Sequence, residues 1–294
     1  MFMKHARFWL ALFVVVSLLS LVVACNKSDE DEEEDEGSTP TETAGTPYKS
    51  TGNEGTITGK VSLTGDAPAP KPIDMNADAA CASKNPNAVA EDVVVKDGKI
   101  EYVFVYIKDG QLTDGKKIGS LSFQPSSTPV VLDQDGCHYK PHVLGIQTNQ
   151  KFQVKNSDPT AHNVNVQPKG NAPWNQSQPP NAPVIEKTFT RAETLIPVKC
   201  NQHPWMKAWI GVLKHPFYAV SREDGSFEIA GVPPGKYTVT AWHEKYGEKT
   251  MDVTVGDKGS ATADFTYSPT ASAAPQGGSL EILPALDIPM LAQH

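Results

Sequence analysis

Through the body of the chain, apolar residues recur at every second position or a multiple of two. Ile57, Val61 and Leu63 follow this spacing, as do Val103, Val105 and Ile107, then Phe152 and Val154, then Tyr237, Val239 and Ala241. Such spacing puts the apolar side chains on one face of a half-buried strand. Asp97-Gly98, Asp109-Gly110 and Asp224-Gly225 punctuate the runs with turn dipeptides, as hairpins require. No stretch of the body keeps a 3.6-residue period for long, so the pattern predicts an all-β fold. About 215 residues lie between two polar ends, more than one small sandwich uses and enough for two β domains.

The ends read differently. Phe8 to Ala24 is apolar but for Ser17 and Ser20, and it follows Lys4 and Arg7. A basic start before an apolar run is the pattern of an export signal, although its length also suits a short membrane span. Leu21-Val22-Val23-Ala24-Cys25 resembles a bacterial lipoprotein signal, with Val22 where Leu is commoner. The resemblance implies that Cys25 is lipidated and becomes the new N-terminus. The chain would then be exported and held at a membrane by acyl chains, facing the periplasm or the cell surface. Asn26 in place of Asp is compatible with the outer membrane. Residues 26–54 open with Asp29–Glu36 and continue rich in Gly, Ser, Thr and Pro. They are expected to form a self-repelling, solvated tether, with a docking strip for a basic partner as the other reading. Residues 268–294 are low in complexity and then interrupted by Pro284 and Pro289, and disorder is expected there.

Composition narrows the class. With 39% hydrophobic residues, 24 Pro and 22 Gly, the chain is too apolar to be wholly disordered and too rich in breakers for a helical bundle. The formal net charge is −8; setting aside Lys4 and Arg7 takes it to −10, and setting aside the eight carboxylates of Asp29–Glu36 as well leaves −2. The body is nearly neutral and lacks the basic face that nucleic acid requires.

Glu223-Asp224-Gly225-Ser226-Phe227-Glu228-Ile229-Ala230-Gly231-Val232-Pro233-Pro234-Gly235-Lys236-Tyr237-Thr238-Val239 resembles the second half of a carboxypeptidase regulatory-like domain, a small prealbumin-like sandwich. The family's opening strand, G-x-I-x-G-x-V, is matched by Gly55-Thr56-Ile57-Thr58-Gly59-Lys60-Val61. The two pieces stand about 160 residues apart, far beyond the family's usual spacing. An insertion between Val103–Ile107 and Tyr218–Val220 accounts for the gap, since loop closure grows costly only slowly with length. Two tandem sandwiches are the rival arrangement.

The intervening sequence carries the most specific chemistry. Cys200-Asn201-Gln202-His203-Pro204-Trp205-Met206 follows the apolar run Leu195, Ile196 and Val198, and His162 lies upstream. One thiolate, two imidazoles and a weak thioether form the donor set of electron-transfer copper. Structural zinc would ask for four strong ligands. The C-x2-H-P-x-M loop and the sequence Ala161-His162-Asn163-Val164 are similar to those of the cupredoxins, amicyanin above all. The likeness spans about residues 130–214. It implies one type 1 copper ion held by His162, Cys200, His203 and Met206, with His203 facing solvent as the port for electrons. It also implies that Asn163 hydrogen-bonds across to the loop of Cys200, and that Trp205 helps form an apolar docking patch. A cupredoxin combined with a split regulatory-like sandwich resembles methylamine-utilisation-like bacterial lipoproteins. Together these resemblances divide the chain into a signal at 1–25, a tether at 26–54, a discontinuous sandwich at 55–128 and 215–267, a cupredoxin Greek-key sandwich at 129–214 and a tail at 268–294.

With Cys25 assigned to lipid and Cys200 to metal, Cys81 and Cys137 remain. In an oxidising compartment they are expected to pair as a disulfide; two free buried thiols are the alternative. His138 and His142 share a strand face by spacing, which leaves room for a second metal site but supplies few ligands. His215 and His243 read as packing or surface residues. No G-x-S-x-G elbow, phosphate loop or H-E-x-x-H helix occurs, so no enzyme is expected. The expected function is a membrane-anchored, one-electron carrier between periplasmic redox proteins such as a c-type cytochrome. Copper storage or delivery without turnover, or an adhesion or carbohydrate-binding module, are the alternatives.

Overall fold

The computed structural model describes residues 45–269. The expected export signal, Cys25, the acidic tract Asp29–Glu36 and the chain from 270 onward lie outside the described residues. Among the described residues the regular structure is nearly all β, with one α-helix, Ala79–Lys84, and a 3-10 turn at Ile118–Ser120. No helix among them is long and apolar enough to cross a membrane.

Two sandwiches share the chain. In the first, strand Gly55–Leu63 runs antiparallel to Ser226–Val232, with Ile57 opposite Ile229, and parallel to Ser260–Thr262 and Phe265–Tyr267. Its facing sheet orders Tyr218–Val220, Phe104–Leu112, Gly235–His243 and Gly247–Val255. Both sheets join strands from before and after residues 130–213. Ile57, Val61, Val105, Ile107, Phe227, Ile229, Tyr237 and Val239 fill the space between them. All but Phe227 and Ile229 are positions that alternation marked, because removing them from water is what drives the two sheets together.

Strands from 130 to 213 build the second sandwich. One sheet orders Ile185–Lys187, Phe152–Asn156, Val130–Gln134 and Tyr139–Lys140; the other orders Trp174–Gln178, His162–Val166, Glu193–Lys199, Lys207–Leu213 and Val143–Gln147. Leu132, Phe152, Val154, Val164, Val166, Ile196, Val198 and Ile210 form its core.

The sandwiches meet on a face that alternation did not mark. Val103 through Ile107 are all buried. Val105 and Ile107 point into their own core, while Phe104 and Tyr106 pack with Val143 and Leu213 of the second sandwich. A sheet covered on both faces loses its alternation. Gly145 lies under the Tyr218 ring and Gly211 under that of Phe104, where a Cβ on either would collide with the ring above it. Trp209 and Trp242 meet edge to face across the junction with centroids 5.2 Å apart. His142 Nε2 lies 2.5 Å from Glu244 Oε1, and both side chains are buried or nearly so.

Two expected boundaries need correction. The tether was expected to reach residue 54, yet Thr46–Pro47 pairs with Leu121–Ser122, and Tyr48 packs on Phe123 at 5.1 Å. Glu54 accepts from Tyr48 Oη (2.5 Å) and from the amides of Thr51 (2.7 Å) and Gly52 (3.0 Å). One aromatic anchor and one carboxylate-closed turn suffice to fix this segment. The stretch around helix Ala79–Lys84 was assigned to the first sandwich. Its buried Met75, Cys81 and Ala88 instead join the core of the second, fastened there by a disulfide between Cys81 and Cys137, with Cα atoms 5.5 Å apart.

Candidate metal centre

At one end of the second sandwich, Cys200 follows strand Glu193–Lys199 and opens a compact loop. The Cys200 amide donates to the Met206 carbonyl (3.1 Å) and the Met206 amide to that of His203 (2.9 Å). These bonds fold Cys200, His203 and Met206 into one turn-sized unit, all three buried. His162 begins the strand His162–Val166 in the same sheet. His162, Cys200 and His203 each present a ligand atom, and these atoms all lie within 4.8 Å of one another. The two imidazoles turn Nδ1 toward each other at 2.9 Å, and His203 Nδ1 is 3.7 Å from Cys200 Sγ.

Asn163 bridges the strand and the loop. Its Oδ1 accepts from the Asn201 amide at 2.7 Å and lies 3.4 Å from Cys200 Sγ, and its Nδ2 donates to Asn175 at 2.7 Å. Trp205 donates from Nε1 to the Cys137 carbonyl at 3.1 Å, with its ring 5.2 Å from that of His203. The tryptophan therefore ties the loop to the disulfide.

Two carboxylates that sequence reasoning missed complete the site. Asp158 Oδ2 lies 2.9 Å from His162 Nε2, and Asp78 Oδ2 lies 3.1 Å from His203 Nε2. Asp158 has a faint signal in Asp158-Pro159-Thr160-Ala161-His162, where one turn separates carboxylate and imidazole. Asp78 has none; it reaches His203 only because helix Ala79–Lys84 is laid over the loop. That helix also overturns one expectation. His203 is 5% exposed and does not face solvent, because Asp78 and the Cys81–Cys137 link cover its outer edge.

The electrostatics follow from burial and pairing. Burial pushes the Cys200 thiol up. The bond to His162 and the backbone groups of Asn163, His203 and Gln202 outweigh that and bring its pKa to about 6. Burial likewise opposes ionisation of Asp158, but His162, Lys84 and the amides of Cys137 and Gly136 hold it well below the usual carboxylate range. His162 is lowered by burial and raised more by Asp158 and Cys200, for a net increase. An acidified thiol beside two imidazoles whose Nδ1 atoms face inward fits a borderline-to-soft cation such as copper, and Met206, buried on the same loop, brings a thioether to that loop.

The spare histidines do not join the centre. His138 Nδ1 is held by the Gly136 carbonyl (3.1 Å) and Asn85 (3.3 Å), and His142 is taken by Glu244. His215 stacks on Phe217 and His243 on Tyr246. Burial lowers both to a pKa of about 4, as packing residues require.

The family model of the carboxypeptidase regulatory-like domain matches residues 210–268. Among curated proteins, none matches the chain. The copper-containing nitrite reductase of Thermus scotoductus SA-01 is 23% identical over 30% of this chain and 25% of its own, with a TM-score of 0.27; the chain thus spans a quarter of that enzyme's length. Amicyanin, as the oxidized state of a proline-to-alanine mutant, is 21% identical over 30% of this chain and 84% of its own, with a TM-score of 0.27. A purple cupredoxin from Nitrosopumilus maritimus is 18% identical over 29% of this chain and 98% of its own, with a TM-score of 0.24. At such scores the copper reading rests on the site itself. The molecule is all-β, carries a carboxypeptidase regulatory-like stretch, and has cupredoxins among its solved structural neighbours.

Proposed function

We propose that the chain is a copper protein that carries single electrons, anchored to a membrane through Cys25 and exchanging electrons with an exported redox protein such as a c-type cytochrome. The observation that carries the reading is the convergence of ligand atoms of His162, Cys200 and His203, all three buried, within 4.8 Å of one another. In this reading His162 and His203 offer Nδ1 and Cys200 its thiolate, and Met206 supplies the weak fourth donor. A bound copper ion supplies the Cu(I)/Cu(II) couple. The chain's own part is to hold the donors still: Asn163 locks the Cys200 loop to its neighbouring strand, and the sandwich core keeps water from the site. A donor set that does not rearrange between oxidation states lowers the reorganisation cost of each transfer.

Purified protein loaded with one equivalent of Cu(II) is expected to show intense thiolate-to-copper absorption in the visible, with the matching spin-resonance signal, and Cys200→Ser is expected to lose both. Copper that binds without this absorption, or absorption that survives Cys200→Ser, overturns the assignment. One observation favours a second reading, copper storage or delivery without turnover: the outer edge of His203 is covered and not open to a partner. Rapid, reversible reduction by a c-type cytochrome supports the carrier. Copper transfer to an acceptor without reduction supports the store.

A further inference from the structure

Both imidazoles of the candidate site carry an anion on their far side. His162 Nε2 meets Asp158 Oδ2 at 2.9 Å, and His203 Nε2 meets Asp78 Oδ2 at 3.1 Å. Neither carboxylate is loosely placed. Asp158 is fully buried as a side chain and accepts from the Gly136 and Cys137 amides, each at 2.8 Å, and from Lys84 Nζ, also at 2.8 Å. Asp78 Oδ1 caps helix Ala79–Lys84 by accepting from the Ala80 amide (2.9 Å) and the Cys81 amide (3.3 Å). Its Oδ2 takes the Thr160 hydroxyl at 2.7 Å beside His203. Lys84, at the other end of the helix, joins Asp158 to Asp135, the latter at 2.6 Å. One short helix, pinned by the Cys81–Cys137 disulfide, therefore orders both carboxylate–imidazole pairs at once.

We propose that Asp78 and Asp158 are paired positioning residues for the metal centre, which fix both histidines as Nε2–H tautomers with Nδ1 free toward the ion and place negative charge behind each ligand. This rests on the copper reading above. A carboxylate accepting from Nε2–H keeps that nitrogen protonated, so Nδ1, which faces the other imidazole at 2.9 Å across a shared proton, is the nitrogen that gives up its proton to an entering ion. The same anion makes the imidazole a stronger donor and favours the more highly charged metal state. The pair therefore holds the reduction potential down, and the arrangement separates this site from one in which the outer histidine edge is simply open to water.

The test uses the full chain in two forms. Without metal, nitrogen NMR of the imidazoles is expected to show Nε2 protonated on both His162 and His203, with one further proton shared between the facing Nδ1 atoms 2.9 Å apart. Asp78→Ala is expected to release His203 to a mixture of tautomers, while Asp78→Asn, which retains an acceptor, keeps it fixed. With copper bound, neutralising either carboxylate in Asp78→Asn or Asp158→Asn is expected to shift the Cu(II)/Cu(I) affinity ratio about tenfold toward Cu(I), at the lower end of the 10–100-fold loss typical of such partners. That shift reads as a rise of about 59 mV in midpoint potential for a one-electron couple. Should Asp158→Asn fail to fold, the Asp78 variants, at a less buried position, decide the matter alone. Unchanged His203 tautomers in Asp78→Ala, or potentials in the Asn variants indistinguishable from wild type, overturn the assignment and leave the two residues as a helix cap and a loop brace. A wild-type chain that takes up no copper refutes the metal reading, and the metal-free tautomers then still judge the positioning.

Discussion

Replacing Cys81 and Cys137 together by Ala removes a cross-link between residues 56 positions apart. In the chain-entropy treatment, freeing a loop of that size returns roughly 14 cal/mol/K to the unfolded ensemble, or about 4 kcal/mol at 25 °C. Both sulfurs are buried in the core of the second sandwich, so the truncation leaves small voids that add roughly 1 kcal/mol. For a fold of this size each kcal/mol lowers Tm by about 2–4 °C, which places the expected drop at roughly 10–20 °C. Calorimetry of the variant against wild type measures the total. Wild type reduced by a dithiol reports the entropic part without the voids. Hydrogen exchange adds a local reading: the amides of Ala82 and Asn85, bonded to Asp78 and Cys81 carbonyls, should lose protection more than strand amides of the first sandwich. A total loss under about 1 kcal/mol, or helix amides that stay as protected as before, would refute the view that the disulfide clasps this helix onto the centre.

Two further predictions concern the junction between the sandwiches. His142 is lowered by burial but raised more by Glu244 and then Glu91, for a net increase; Tyr102 packs on its ring and the Lys207 carbonyl meets Nδ1 at 3.0 Å. A histidine whose pKa is raised on folding stabilises the fold fully below its unfolded value, ~6.5, and that contribution fades as pH rises through the raised folded value. Glu244→Gln should therefore cost most below pH ~6.5, about 3 kcal/mol for breaking a buried pair, and progressively less in alkaline denaturant melts; a cost independent of pH contradicts the pairing. Gly211→Ala drives a methyl into the Phe104 ring and should cost about 1–3 kcal/mol by overpacking. Adding Phe104→Leu should recover part of that loss, whereas strict additivity in a double-mutant cycle would show that the two positions do not touch.

The cover over His203 bears on how electrons could reach the centre. With Asp78 on Nε2 and the disulfide sulfur of Cys81 at 3.8 Å from the same nitrogen, the imidazole edge is not a contact surface. In the proposed carrier, a partner would dock instead on what lies over or beside it, the helix Ala79–Lys84 or the exposed Asn201 and Gln202 of the loop. The measurements that separate carrier from store therefore also report whether this cover permits transfer at a useful rate.

Local sequence was enough to determine the strand class, because burial on one face of a sheet imposes a period of two wherever only one face is covered: Ile57, Val61, Tyr237 and Val239 are legible for that reason. The Cys200–Met206 loop was legible too, since three of its donors lie within seven residues and a single turn brings them together. The pairing of Cys81 with Cys137 was the expectation once Cys25 and Cys200 were set aside, with two free thiols as its rival, and the structure shows the bond. Tertiary structure decided the rest. Phe104 and Tyr106 broke the alternation because a second sandwich covers the sheet's other face, and nothing near them in the chain announces it. Asp78 meets His203 across 125 positions, and Glu244 meets His142 across 102. Contacts at such range depend on how whole sheets pack, a property of the assembled core and not of any window of sequence, and it was this packing that covered the histidine expected to face water.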